Sequence, residues 1–186
     1  ALPICMHMAK ALSAAGLPPG VLNVLTGKAS AIGEAMLNHP ELKKISFTGS
    51  TAVGKLLMDG ASRTNTKMAL EMGGNAPVII FEDADVDALA KVASTARFRN
   101  NGQVCIAPQR FYIHEKIFDA FAESVSKYVS QLKVGNGFEE GVQIGPLITQ
   151  KQRDSVIQLM QQTKAEEATI LAGGGVPAHL SKGYFF

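Results

Sequence analysis

Lys44-Ile45-Ser46-Phe47-Thr48-Gly49-Ser50-Thr51-Ala52-Val53-Gly54-Lys55 decides the fold. Lys44 to Phe47 reads as a strand, Gly49 as a tight turn, and Ser50 as the start of a helix that runs to about Ala61. Toward the N-terminus the same alternation continues. Residues 3–15 predict a helix, because Ile4, Met8, Ala11, Leu12 and Ala15 share one face, Pro3 suits the first turn and Gly16 stops it. Val21 to Leu25 predicts a buried strand, and Ser30 to Asn38 a second helix. Strands alternating with helices across short turns predict an α/β protein built on doubly wound parallel sheets.

Toward the C-terminus, Lys67 to Met72 predicts a strand, Gly73-Gly74 a break, and Pro77 to Phe81 another strand. Asp83 or Asp85 then caps a helix to about Phe98. A glycine-containing loop at 100–108 leads to a strand at 109–113 and a long amphipathic helix from Glu115 to Leu132. A helix at 149–163, a strand at Thr169-Ile170-Leu171 and a turn at Gly173-Gly174-Gly175 complete the reading. Gly73-Gly74 is the expected domain boundary, dividing 1–72 from 73–186.

Composition narrows the function. Of 186 residues 46% are hydrophobic, too many for a disordered chain. Eighteen Lys and Arg against sixteen Asp and Glu leave a net charge of +2, which excludes a strongly basic nucleic-acid binder. The longest apolar runs, such as Val78 to Phe81, are too short to span a membrane, and no basic segment precedes an apolar one as in a signal peptide. Two cysteines a hundred residues apart make no disulfide framework, so a reducing cytoplasm is expected. The chain opens at Ala1-Leu2-Pro3-Ile4, already within a predicted helix, and closes on the apolar Gly183-Tyr184-Phe185-Phe186. Both ends read as cut, and a piece of a longer protein is expected.

Three places could carry chemistry. At Gly49-Ser50, backbone N–H groups at a helix start, with glycines allowing close approach, suit a phosphate. The run from Gly49 nearly fits a phosphate loop, but Leu56 stands where a Mg²⁺-binding hydroxyl is needed. The simpler reading is an N-cap serine. At Glu71, a carboxylate follows Met68, Ala69 and Leu70 and precedes Gly73-Gly74. It is either buried in a network, shown at a cleft as a general base, or facing water at a sheet edge. At Asn100-Asn101-Gly102-Gln103-Val104-Cys105, a polar loop could expose the sulfur as a nucleophile, against the usual buried and inert thiol. Cys5, on a helix face, reads as packing. His7, His39, His114 and His179 are scattered, and no metal site is expected.

In this order and spacing the signals are specific. The chain resembles the central part of the NAD(P)-dependent aldehyde dehydrogenase superfamily. Leu70-Glu71-Met72-Gly73-Gly74-Asn75-Ala76-Pro77 is similar to that family's glutamate signature, and Phe98 to Cys105 to its cysteine signature, with 34 positions (105 − 71) between Glu71 and Cys105. Gly16 to Val24, Phe47 to Ser50, Gly145-Pro146-Leu147-Ile148 and Gly183-Tyr184-Phe185 support it.

The resemblance implies a Rossmann-like cofactor domain ending within 1–72 and an α/β catalytic domain beginning within 73–186. It implies Cys105 as nucleophile, with its own N–H in the oxyanion hole, and Glu71 as the base that releases the thioester. Gly102 and Gln103 would shape the loop that presents the sulfur. Gly49, Ser50, Glu71, Met72 and Gly73 would line the NAD or NADP site, Ser50 beside the pyrophosphate. It further implies a small aldehyde substrate, a homo-oligomeric parent (dimer or tetramer), and a segment that neither folds stably nor turns over alone. Asn75 in place of a commoner lysine leans toward succinate semialdehyde, although Ile106-Ala107 lacks the second cysteine some of that branch carry. A general aliphatic or aromatic aldehyde dehydrogenase stays open. So do a phosphate-loop nucleotide-binding domain and a relative that keeps the fold without the chemistry.

Overall fold

In the computed structural model, residues 2–186 are described, and they form two compact units, 1–72 and 73–186. The helical reading of Ala1 lies outside the described residues.

The first unit opens with helix α1 (Leu2–Ala14). Gly16 (φ +93°) takes the left-handed position, Gly16 N donates to Ser13 O and Leu17 N to Leu12 O, so the last carbonyls of the helix are satisfied. Helix α2 (Ala29–Leu37), strand β1 (Lys44–Gly49), helix α3 (Thr51–Ser62) and strand β2 (Lys67–Met72) follow. β1 and β2 pair in parallel, Lys44 beside Lys67 and Gly49 beside Met72, with α3 as the crossover. The interior is thin: Ile45, Ala61 and Thr66 are buried among side chains, and Gly54 and Gly60 on α3 let neighbours approach. A Cβ on Gly54 would lie 2.5 Å from Met72 Sδ, and one on Gly60 2.6 Å from Leu37 Cδ1.

The second unit repeats the motif. Strand β3 (Ala76–Ile80), helix α4 (Val86–Phe98) and strand β4 (Pro108–Ile113) form a second parallel crossover, followed by helices α5 (Glu115–Ser130) and α6 (Gln150–Ala165). Here the interior is filled. Ile80, Ala90, Ala93 and Phe121 are buried together, Val78, Leu89, Phe111, Ile113, Ile117 and Val125 close around them, and the Phe111 and Phe121 rings stand 6.0 Å apart. Alternation along the strands explains the layer: Val78 and Ile80 face α4 and α5, while Ile79 and Tyr112 lie exposed on the other side.

Three sequence expectations are corrected. Val21 to Leu25 is not a strand; among the described residues no strand pairs with it, and Val21 and Leu25 are exposed. Thr169 to Leu171 is not a strand either. It sits between Glu167, held left-handed (φ +63°), and the left-handed Gly173 and Gly174, and among the described residues only Ser126 Oγ donates to it, at Leu171 O. β-propensity without a ladder partner does not make a strand. Cys5 does not pack: it is exposed, and among the described residues no other element makes a substantial contact with α1.

No helix among the described residues is long and apolar enough to cross a membrane.

Candidate functional site

The residues singled out in the sequence fall into two sets, one in each unit. In the first unit, Gly49, Ser50, Glu71 and Met72 gather at the carboxyl edge of the β1–β2 pair, because the parallel register sets Thr48 beside Glu71 and Gly49 beside Met72. That edge of a parallel sheet, where strands hand over to helices, is where α/β proteins hold ligands. Ser50 Oγ accepts from Val53 N at 3.3 Å, and Ser50 O accepts from Gly54 N at 2.9 Å. The N–H groups of Thr51 and Ala52 have no partner among the described residues. A neutral cap with two free donors and no acidic side chain in the first turn leaves the positive end of α3 open to an anion. Glu71 is exposed and its side chain makes no ion pair or hydrogen bond among the described residues, so of its three readings the buried network is not realised.

In the second unit, Cys105 lies in the return loop 99–107, between α4 and β4. Arg99 to Gly102 forms a tight turn outside right-handed helical geometry, in which Asn100 (φ +52°), Asn101 (φ +57°) and Gly102 (φ +69°) are all left-handed. Asn tolerates that region better than other side chains, yet such positions store on the order of 1 kcal/mol each and persist only when neighbours over-determine them. The neighbours are visible. Arg97 Nη1 donates to Gly102 O at 3.2 Å, and a Cβ on Gly102 would lie 2.7 Å from that same nitrogen and 2.9 Å from Arg97 O. Gln103 N donates to Asn100 O at 3.1 Å, closing the turn. Asn101 grips Gly145 with both ends of its amide: Nδ2 donates to Gly145 O and Oδ1 accepts from Gly145 N, each at 3.0 Å.

Downstream, Ala107 N donates to Val104 O at 3.0 Å, and Ala107 is buried. Between these anchors Cys105 is a free, exposed thiol whose backbone N–H has no partner among the described residues. A carbonyl-derived oxyanion beside the sulfur would find that donor. Gly73 and Gly74 lie at the amino edge of β3, where a Cβ on Gly74 would stand 3.7 Å from Cys105 O. The carbonyls of Gly74 and Asn75 are held from β4, Gln109 Nε2 donating to Gly74 O at 3.1 Å and Arg110 Nη2 to Asn75 O at 3.0 Å.

Arg97, Gln109 and Arg110 escaped sequence reasoning, as did the contact of Asn101 with Gly145. Only the Asn-Asn-Gly run carried a signal, since it is the composition of a left-handed turn. The long-range partners left none. Among the described residues no group of three or more His, Cys, Asp or Glu is placed to hold a metal.

Residues 2–186 match the family described as the aldehyde dehydrogenase family. Betaine aldehyde dehydrogenase of the Amaranthus hypochondriacus chloroplast is 40% identical over 181 residues, covering 97% of this chain and 36% of the relative. Mitochondrial succinate-semialdehyde dehydrogenase of Arabidopsis thaliana is 48% identical over 160 residues, covering 86% and 30%. Among solved structures, PnpE of Pseudomonas sp. WBC-3, crystallised with nicotinamide adenine dinucleotide, superposes with a TM-score of 0.91 at 32% identity, covering 97% of this chain and 38% of that one. The chain thus spans about a third of the length of the proteins it matches.

Proposed function

The chain belongs to the aldehyde dehydrogenase family, and from that premise we propose that the whole protein oxidises an aldehyde to a carboxylic acid with a nicotinamide cofactor, using Cys105 as nucleophile. One observation carries the reading: a free, exposed thiol whose backbone N–H has no partner among the described residues, at the end of a strained loop held by Arg97 and Gly145.

Cys105 Sγ, as thiolate, adds to the aldehyde carbon while its own N–H donates to the oxygen that gains charge. A nicotinamide, when bound, would accept the hydride from the thiohemiacetal carbon, leaving a thioester on Cys105. Glu71 then takes a proton from water, the hydroxide displaces sulfur from the acyl carbon, and Cys105 returns as thiolate. Residues 1–72 serve as the last part of the cofactor domain and 73–186 as the first part of the catalytic domain. The free Thr51 and Ala52 N–H groups and the neutral Ser50 cap fit a pyrophosphate, with Gly49, Met72 and Gly73 beside the remainder of the cofactor. The chemistry requires Cys105 reduced, and hence a reducing compartment. A homo-oligomeric parent, dimer or tetramer, belongs to the same reading.

For the substrate we favour succinate semialdehyde or a similar small aldehyde, on the Asn75-Ala76-Pro77 run and the 48% identity to an enzyme of that name. Betaine aldehyde is the second reading, supported by the relative that covers more of this chain. The test is steady-state oxidation of both aldehydes by the full-length protein, with NAD and with NADP. Cys105→Ala is expected to abolish oxidation. Glu71→Gln is expected to leave a first-turnover burst of reduced cofactor followed by slow turnover. A Cys105→Ala protein as active as the parent would overturn the reading.

A further inference from the structure

Gly145-Pro146-Leu147-Ile148 stands out in the sequence, yet the reaction above gives it no task. In the structure its first residue is the one that Asn101 grips. The two hydrogen bonds, Nδ2 to Gly145 O and Gly145 N to Oδ1, span 44 positions of sequence and are half-buried. Gly145 is itself set by its surroundings: Val134 bridges Ile144, Gln143 N and Ile144 N both donate to Lys133 O, Gly135 N donates to Ile144 O, and Leu147 bridges Tyr184. Asn101 is therefore fastened to a fixed point beyond the loop.

We propose that Asn101 is a positioning residue for Cys105, acting by locking the left-handed turn at 100–102 onto the backbone of Gly145. The proposal rests on the reading of Cys105 as nucleophile. Three successive left-handed residues do not hold themselves in place, and two of the three carry side chains. Arg97 anchors the turn from the side of α4 and Asn101 anchors it from the far segment, so the chain leaves Gly102 in one direction. Cys105 is three residues further on. Without the amide grip the turn keeps its internal Gln103–Asn100 hydrogen bond and the Arg97 anchor but loses its tie to the far segment, and the sulfur samples directions that do not meet the carbonyl carbon. Misplacement of about 1 Å costs on the order of a hundredfold in rate.

The choice of side chain is specific. Glycine at 101 would accept the left-handed backbone but could not reach Gly145. Aspartate would tolerate the turn and accept from Gly145 N, yet could not donate to Gly145 O.

The experiment compares the full-length protein with its Asn101→Gly and Asn101→Asp variants, read per reactive Cys105 titrated. The pre-steady-state burst of reduced cofactor reports acylation, KM reports aldehyde binding, hydrogen exchange of the 97–107 segment reports the turn, and iodoacetamide alkylation, mapped to Cys105 and to Cys5, reports simple access to sulfur. We expect Asn101→Gly to slow the burst on the order of a hundredfold with KM within about threefold. Exchange in 97–107 should quicken, and Cys105 alkylation should hold within about threefold, since the thiol is exposed with or without the grip. Asn101→Asp should fall between. A burst at the parent rate in Asn101→Gly overturns the proposal, even if the segment exchanges faster, because the grip would then be structural only. A loss explained wholly by a smaller active fraction or a raised KM overturns it as well. Parent-like oxidation by Cys105→Ala would instead strike the nucleophile assignment, so the two failures are distinct.

Discussion

The two parallel crossovers, β1-α3-β2 in the first unit and β3-α4-β4 in the second, are the same motif filled in opposite ways. In the first, the strand passes to its helix through Ser50 alone, a neutral cap, and the return of residues 63–66 is brief. In the second, residues 81–85 intervene, and Glu82, Asp83, Asp85 and Asp87 crowd the helix start, while the return extends over 99–107. Asp85 Oδ1 accepts from Ala88 N at 3.1 Å, and Glu82 pairs with Lys116. The positive end of α4 is thus already answered by the protein's own carboxylates, whereas that of α3 is left for an outside anion. The long return that α3 lacks is the loop that presents Cys105. The motif sets where strands and helices go, and the turn residues decide which edge can take a ligand.

The interiors differ as sharply, and the largest expected effect tests that. Phe121 is 3% exposed and touches both strands' core faces through Phe111 and Ile80. Phe121→Ala should cost about 3–5 kcal/mol. Because distant sites behave nearly additively, the loss should fall on the second unit. Hydrogen exchange by mass spectrometry should show faster exchange in β3, α4, β4 and α5, with β1, α3 and β2 unchanged. Equal acceleration in both units would mean that the aromatic cluster stabilises the chain as one cooperative body and would dissolve the contrast.

Much of this contrast was legible in the sequence, for reasons that can be named. The spacing of apolar residues gave α3, α4 and α5 nearly to the residue, because an amphipathic period and a cap at Ser50 or Asp85 are local signals. β2 and β3 were readable because each has a parallel neighbour to complete the ladder. Val21 to Leu25 has equal strand propensity and no neighbour, and the propensity alone misled. For the candidate site, Ser50 as cap, the exposed sulfur of Cys105 and the turn at Gly102 could be anticipated from residue type. The anchors could not. Asn101 to Gly145, 44 residues apart, and Gln109 and Arg110 to the Gly74-Asn75 carbonyls join segments whose proximity exists only after folding.

A smaller effect follows from making the first turn resemble the second. Ser50→Asp keeps an N-cap acceptor for Val53 N and adds a negative charge at the start of α3. In the cofactor-free full-length protein this should stabilise by about 0.3–1 kcal/mol. The same charge opposes a pyrophosphate, so affinity for the dinucleotide should fall on the order of tenfold, about 1.4 kcal/mol. Urea unfolding and a fluorescence titration with reduced cofactor measure the two sides. Binding that is unchanged would place the pyrophosphate elsewhere than at the end of α3.

The smallest expected effect is a pH dependence special to the acidic turn. Asp87, in the first turn of α4, accepts from Tyr128 Oη at 3.1 Å and from Ser124 Oγ at 3.0 Å, tying α4 to α5. The hydrogen bond to the Asp87 carboxylate holds the Tyr128 phenol above its ordinary pKa of 10.0, with partial burial and the negative charge of Asp87 adding in the same direction. A group whose folded pKa is raised stabilises fully below its unfolded pKa, and that contribution is lost as pH climbs through the folded value. Neutral and mildly alkaline solutions should therefore show no change from this pair, and stability should decline only beyond pH 10.0. Tyr128→Phe should remove that alkaline decline, and an ultraviolet difference titration against the parent should assign the late-titrating phenol. If the variant declines as the parent does, the alkaline loss arises elsewhere, and the Asp87 tie does not couple α4 to α5 through its proton.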